Sequence, residues 1–374
     1  MQIKNKIKKI VKQFLFKRGL KTNRQIVVFE SDDWGAERSF SADSLEQLKV
    51  KYPDFKPDNY QAFDSVETDE DVKELKDTIL KYKDKSGRPA CFTLNFATKN
   101  LDYVAVKNSD YKEVVLVPID EYYKTKPECK KVLVEVADGE YKGCFLPQLH
   151  AREHINAHEM IKDIASGDGF QKDALDLNIV GVKKSHYCGM DCLNVSKEKS
   201  VEIINEGVQE FKRIFGFASE SFIAPCYVWK PEDEKVLEAN GVKFLQGNLY
   251  QNIPLKNGRY KKQIHKFGEK SKVSELRYFS RNCFFEPSKE VMNGKSENVI
   301  VDDIISQIRF AFKCKKPAVV CTHRVNWVGF ISKENRDNNL KVLSNVLERL
   351  KLEFPNIEFM STPEMVKEIL KENA

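Results

Sequence analysis

Gln25-Ile-Val-Val-Phe-Glu-Ser-Asp-Asp-Trp-Gly35 is the stretch from which the fold is read. Its apolar run, Ile26 to Phe29, has the length and β-branched content of a buried strand. The run delivers Asp32 and Asp33 side by side at its C-terminal end, where Gly35 lets the chain turn away. Two neighbouring carboxylates in a partly buried place ionise together only when a cation or hydrogen-bond donors sit between them. Buried charges are paired or metal-bound, so the first question is what shares their pocket.

Further apolar runs follow at Ala90–Phe96, Cys144–Leu149, Ser221–Ala224, Val242–Leu245, Ala318–Cys321 and Ile357–Met360. Helical patterns fall between many of them, at Ala42–Val50, Asp69–Lys81, Ala157–Ala165, Ser200–Phe215, Pro231–Ala239, Val301–Phe312, Glu334–Leu352 and Pro363–Leu370. This alternation predicts an α/β chain with a helix-covered parallel sheet. Seven strands with functional residues after several of them favour a barrel with its site at the C-terminal rim. Residues 24–374 form one such domain, interrupted at about 100–143, 168–199 and 250–297. In the first interruption, Val114–Val117 and Val132–Val136 are expected as strands of a hairpin, and the other two are irregular and polar.

Charge is unevenly placed. Nine of the 62 Lys and Arg residues fall within residues 1–24, which hold no acid, so the remaining 53 face 56 acidic residues. A near-neutral body gives no footprint for nucleic acid. In the basic arm, residues 1–23, Ile3, Ile7, Ile10, Val11 and Phe14 recur at helical spacing and Gly19 is a helix stop. Such a helix suits peripheral contact with an anionic membrane surface, or packing on its own domain or a twin subunit. Nine scattered cysteines without a CxxC pair read as reduced thiols. With no apolar run of membrane-spanning length and no signal-peptide core, a cytoplasmic protein is expected.

His150 and His154, spaced i, i+4 after the run Cys144–Leu149, would share one face of a helical turn and suit two nitrogen ligands on a tetrahedral ion. His158 would lie a turn further on, at the surface. The Asp pair supplies a third ligand and a neighbouring base for an activated water. His323, after the run Ala318–Thr322, is placed to protonate a leaving group, and Ala224–Tyr227 ends another strand with amides facing the rim, where an oxyanion needs donors.

This ordered set resembles the polysaccharide deacetylase group (NodB homology, carbohydrate esterase family 4), with its Asp-Asp first motif, His-x-x-x-His second motif, Arg-x-Pro-aromatic third motif and late strand-end His. The resemblance runs over roughly residues 24–374 and implies a distorted (β/α)7-type barrel with large insertions, preceded by the N-terminal amphipathic helix. It implies Asp32 as general base, Asp33, His150 and His154 as ligands of zinc or of cobalt, manganese or nickel, His323 as general acid and the Cys226 amide as oxyanion donor.

Three positions depart from the family pattern. Ile223 stands where the third motif has Arg, Cys226 where it has an aromatic ring, and Ala151 where Ser or Thr follows the first metal His. Arg152 or Arg324, each inside a motif, is expected to replace the lost charge beside the catalytic Asp. All three tryptophans, Trp34, Trp229 and Trp327, sit in the motifs, and with Tyr227 they are candidates for sugar-stacking surfaces, ordinary barrel packing being the alternative. His186, Cys188 and Cys192 form a second, weaker metal candidate. The expected activity is metal-dependent deacylation, N-acetyl foremost, of a saccharide or glycan precursor. A non-catalytic saccharide-binding barrel and an amidase acting on a non-sugar C–N bond are the alternatives.

Overall fold

The computed structural model describes residues 17–181, 191–255 and 258–374. Most of the basic arm, with its amphipathic pattern, lies outside the described residues, as do His186 and Cys188. The part of the arm that is described lies against the body: Leu20 N–H donates to Phe267 O at 2.8 Å, and the Lys316 ammonium donates to the carbonyls of Arg18 and Leu20.

Fourteen strands occur among the described residues, in chain order β1 (Gln25–Trp34), β2 (Phe92–Ala97), β3 (Lys99–Leu101), β4 (Leu116–Pro118), β5 (Phe145–Ala151), β6 (Ser221–Phe222), β7 (Phe244–Gly247), β8 (Tyr250–Pro254), β9 (Tyr260–Ile264), β10 (Glu269–Lys270), β11 (Arg277–Ser280), β12 (Cys283–Phe284), β13 (Ala318–His323) and β14 (Ile357–Phe359). Ten of them form one sheet in the order β10-β11-β7-β6-β5-β2-β1-β13-β12, with β14 beside the start of β1. Every pairing is parallel except β10 with β11. This is a curled half-barrel with two edges, flanked by helices.

All seven expected strands and all eight expected helices are present, with ends shifted by a few residues. Alternation along β1 divides the core. Val27 and Phe29 join the large cluster under the helices, while Ile26 and Val28 pack with Val319, Met365 and Ile369. Burial of each such side chain contributes about 1.5–3 kcal/mol.

Three expectations are corrected. Val132–Val136 is not a strand but opens the helix Val132–Tyr141. Val132, Val136 and Gly139 face the core at helical spacing, and Gly139 lies so close to the Phe145 ring that a Cβ would meet it at 2.1 Å. Burial of that face overrides the β-branched content. Second, neither polar region is wholly irregular: 168–199 holds the helix Gly169–Asp176, and 250–297 adds β10, β11 and β12 to the main sheet. Third, His150 and His154 do not share a helical turn: His150 belongs to β5, and His154 lies in the loop before the helix Ala157–Ala165.

Candidate active site

Two irregularities in strand pairing aim the functional side chains. Between β1 and β2, Ser31 pairs with Leu94 and Trp34 with Phe96, so β1 carries one extra residue at the Asp pair. Between β2 and β5, Phe96 pairs with Leu149 and Ala97 with Ala151, which leaves His150 as the extra residue. Bulges of this kind re-aim a side chain at the cost of a ladder bond. Asp33 takes a φ of 72°, rare for a residue with a Cβ. On the other side of β1 the register is unbroken and places Asp32 opposite His323 of β13.

The result is a cavity of about 220 Å³ whose lining includes Asp32, Asp33, His150, His154, Cys226, Tyr227 and His323. Asp33 and His150, 117 positions apart in the chain, thus meet at one rim. Asp33 Oδ1 lies 3.2 Å from His150 Nε2 and 3.1 Å from His154 Nε2. His150 Nδ1–H donates to Ile223 O at 2.8 Å, so in the neutral ring Nε2 carries a lone pair facing the carboxylate oxygen. Two acceptors at that distance are stable together only with a cation between them. His154 is held neutral near pH 7, its pKa pulled down to about 4 by burial and the Arg38 charge against the opposing pull of Asp33. Burial opposes ionisation of Asp33, but His154 and Arg38 hold its carboxyl well below the usual range. Two imidazoles and a carboxylate in this spacing fit a zinc-like divalent ion.

Each member of the Asp pair has its own arginine. Arg281 donates to both oxygens of Asp32 at 2.6 Å and to Glu30 at 2.6 Å. Asn95 donates to Asp32 Oδ1 at 2.8 Å. Burial alone would raise the Asp32 pKa; Arg281, with His150 and His323, more than offsets this and holds it below the usual carboxylate range. Arg38 donates to Asp33 Oδ2 at 2.9 Å and forms an ion pair with Asp64 at 3.0 Å.

Arg152 and Arg324 are therefore not the replacement for the missing motif arginine. Arg152 turns away from the cavity toward Glu153, Glu202 and Glu206. Arg324 is fully buried against Asp64 and Glu67, at 2.8 Å from each. It touches neither Asp32 nor Asp33, and its link to Asp33 runs through Asp64 and Arg38.

His323 Nε2 is 3.9 Å from Asp32 Oδ2, and its Nδ1–H donates to Glu286 Oε1 at 2.5 Å. Burial disfavours the imidazolium, yet the Glu286 charge and hydrogen bond prevail and raise the pKa to about 9. The Tyr60 ring meets His323 edge-on at 5.5 Å and lies 4.9 Å from the Arg38 guanidinium. Cys226 has a φ of 50° in the turn Pro225–Tyr227. Burial pushes its thiol well above the ordinary value, so the side chain is no thiolate nucleophile.

The tryptophans do not line the cavity. Trp34 and Trp327 are fully buried, Trp34 donating to Ser31 Oγ at 2.9 Å and Trp327 lying among Phe92 and Phe285. Trp229 is buried with its Nε1–H on Glu234 and its ring stacked on His265. Their place near the motifs reflects packing beneath the rim; of the four proposed stacking residues only Tyr227 lines it. Cys192 is buried, and His158 is exposed as expected.

Sequence reasoning missed Arg281, Arg38, Glu286 and Asn95. Asn95 left a trace, as the one amide in the apolar run Ala90–Phe96. The others sit in polar surroundings that carry no period.

No protein-family model and no curated protein matches the sequence. Solved structures do. A 4-α-glucanotransferase from Thermococcus litoralis aligns over 92% of this chain at 10% identity and a TM-score of 0.47, the chain spanning only 40% of that protein's length. A protein from Mycobacterium smegmatis assigned as a polysaccharide deacetylase aligns over 95% of this chain and 94% of its own, at 9% identity and a TM-score of 0.44. A protein from Parabacteroides distasonis assigned as a glycoside hydrolase/deacetylase aligns over 96% of this chain and 74% of its own, at 6% identity and a TM-score of 0.50. Identities this low speak for the fold alone. The chain has the fold of the NodB-type polysaccharide deacetylases, in a divergent form.

Proposed function

We propose that the protein is a metal-dependent hydrolase that removes an acyl group, N-acetyl in the simplest case, from a saccharide or glycan precursor. The observation that carries this reading is the Asp33 carboxylate facing two imidazole nitrogens, with Asp32 and His323 on the same cavity wall. A divalent ion on Asp33, His150 and His154 would supply a polarised acyl oxygen and a water acidic enough to lose a proton near neutral pH.

The side chains provide the rest. Asp32, kept ionised by Arg281, accepts the proton of the attacking water. His323, kept protonated by Glu286, donates to the leaving nitrogen as the C–N bond breaks. The Cys226 amide is the candidate donor to the oxyanion. With Arg281 in place, the missing third-motif arginine no longer argues for a non-catalytic saccharide-binding barrel.

No helix among the described residues is long and apolar enough to cross a membrane. We propose an intracellular or membrane-linked precursor of a surface glycan as the substrate. The test is acetate release from N-acetylated saccharides by protein supplied with zinc, cobalt or manganese, compared with Asp32→Asn. Loaded protein that releases nothing from any of them overturns the proposal, and release from non-sugar N-acyl compounds alone supports an amidase instead.

A further inference from the structure

Strands β8 and β9 form an antiparallel ribbon outside the main sheet, and its sequence, residues 250–266, carries five Lys or Arg and no Asp or Glu. Lys243 and Lys270 show how other surface lysines are balanced, meeting Glu220 at 2.8 Å and Glu275 at 2.5 Å. On the ribbon, Arg259, Lys261 and Lys262 are exposed, and none of them has a carboxylate partner among the described residues; Lys262 lies over the Tyr250 ring at 5.6 Å. Aliphatic side chains stand among these cations, Leu255 being 48% and Ile264 44% exposed. Leu255 N–H donates to Arg259 O at 2.8 Å, which keeps the two residues abreast beside the turn. The base of the ribbon is bonded to the catalytic rim: Asn252 Nδ2 donates to the carbonyl of Cys226, a cavity residue, at 3.0 Å, and Gln251 Nε2 donates to Trp229 O at 2.9 Å. Where the ribbon ends, Gly19 and Leu20, the root of the basic arm, pair with Phe267.

We propose that this ribbon, together with the basic arm, docks the protein on an anionic phospholipid surface, with the catalytic cavity close to the headgroups. The inference goes beyond the proposed reaction and does not rest on it. Three observations select the occupant. Each strand of five residues spans about 17 Å, so the cations are spread along a line and do not converge; this suits many headgroup charges and not one bound phosphate. Exposed Leu255 and Ile264 offer the apolar contact that an acyl boundary takes up, whereas the tyrosines that would stack on bases are engaged, Tyr260 with its hydroxyl on Asp191 at 2.9 Å and Tyr250 beneath Lys262. The arm brings nine further Lys or Arg and no acid in residues 1–24 to the same place, through the contact at Phe267. Stable attachment to a bilayer takes two such weak signals acting together.

The experiment mixes the full chain with phosphatidylcholine vesicles, with and without phosphatidylglycerol, and reads the bound fraction by co-sedimentation. The wild type binds when phosphatidylglycerol is present, and binding weakens as salt is raised. Lys261→Gln combined with Lys262→Gln lowers the partition coefficient about 10-fold, while Lys243→Gln combined with Lys270→Gln, the same loss of charge elsewhere, keeps it within about twofold. Lys261→Arg with Lys262→Arg keeps wild-type binding, and thermal unfolding of each variant separates loss of docking from loss of the fold. Equal losses in the two glutamine pairs, or no loss in either, overturn the ribbon as the docking element. Binding that ignores phosphatidylglycerol, or no binding at all, overturns the lipid, and so does tighter binding to duplex DNA than to the vesicles. Docking is read without turnover, so its failure and that of the hydrolytic reading are separate results.

Discussion

Arg281 reaches Asp32 from 249 residues away in the chain and grips both carboxylate oxygens at 2.6 Å, while its Nε–H holds Glu30 at the same distance. A planar fork makes these three bonds at once; an ammonium does not. Arg281→Lys should therefore leave the Asp33, His150 and His154 cluster and its metal content intact but loosen the base. The expected result is a kcat lower by about 10²-fold with KM little changed, and a stability loss of about 3 kcal/mol from the under-satisfied buried acids. Arg152→Met, whose partners lie outside the cavity, should keep kcat within about twofold. Equal loss of kcat in the two variants would contradict the assignment.

Asp33 Oδ1 faces two ring nitrogens at 3.1–3.2 Å, so the protein should bind one divalent ion per chain. Because folding assembles the ligands, ion at 100 times its Kd should stabilise the fold by about 2.7 kcal/mol, read as a rise in Tm on adding zinc to chelator-treated protein. Asp33→Asn and His154→Ala should each abolish both the stoichiometric ion and the Tm rise. A Tm rise that survives both substitutions would move the ion elsewhere.

How much of this was legible in the sequence depends on the kind of contact. Parallel strands buried on both faces are written as nearly unbroken apolar runs, and β1, β2, β5 and β13 were found for that reason. Their ends carry Asp32, Asp33, His150 and His323, so the heart of the site came with them. The arginine partner of Asp32 did not, because a charge pair between distant polar segments has no period and no local signal. Short strands such as β11, whose four residues lie beside Arg281 in a polar region, fall below what alternation can resolve. The i, i+4 histidines show the converse. Their spacing was right for convergence, but a bulged strand end and a loop, not a helix, bring them together.

Trp327 is buried among Phe92 and Phe285 and has no access to the cavity. Trp327→Ala should cost about 3–5 kcal/mol of stability and lower Tm accordingly. Where the variant stays folded, its KM for saccharide should match that of the wild type. A raised KM without loss of stability would return the tryptophan to substrate binding.

Glu286 sets the charge of His323. With Nδ1 tied to that carboxylate, the imidazolium persists to about pH 9, against an ordinary histidine value near 6.5. Since the folded value is the higher one, the interaction stabilises the fold fully below about pH 6.5 and is lost as pH rises through about 9. In the proposed mechanism the same proton serves the leaving nitrogen, so activity should fall on the alkaline side near pH 9. In Glu286→Gln the hydrogen bond has a neutral partner and burial pulls the imidazole downward. The alkaline limb of kcat should then move toward about pH 6.5, with the acid limb, which belongs to Asp32, unmoved. An alkaline limb that stays near pH 9 in Glu286→Gln would take the acid role away from His323.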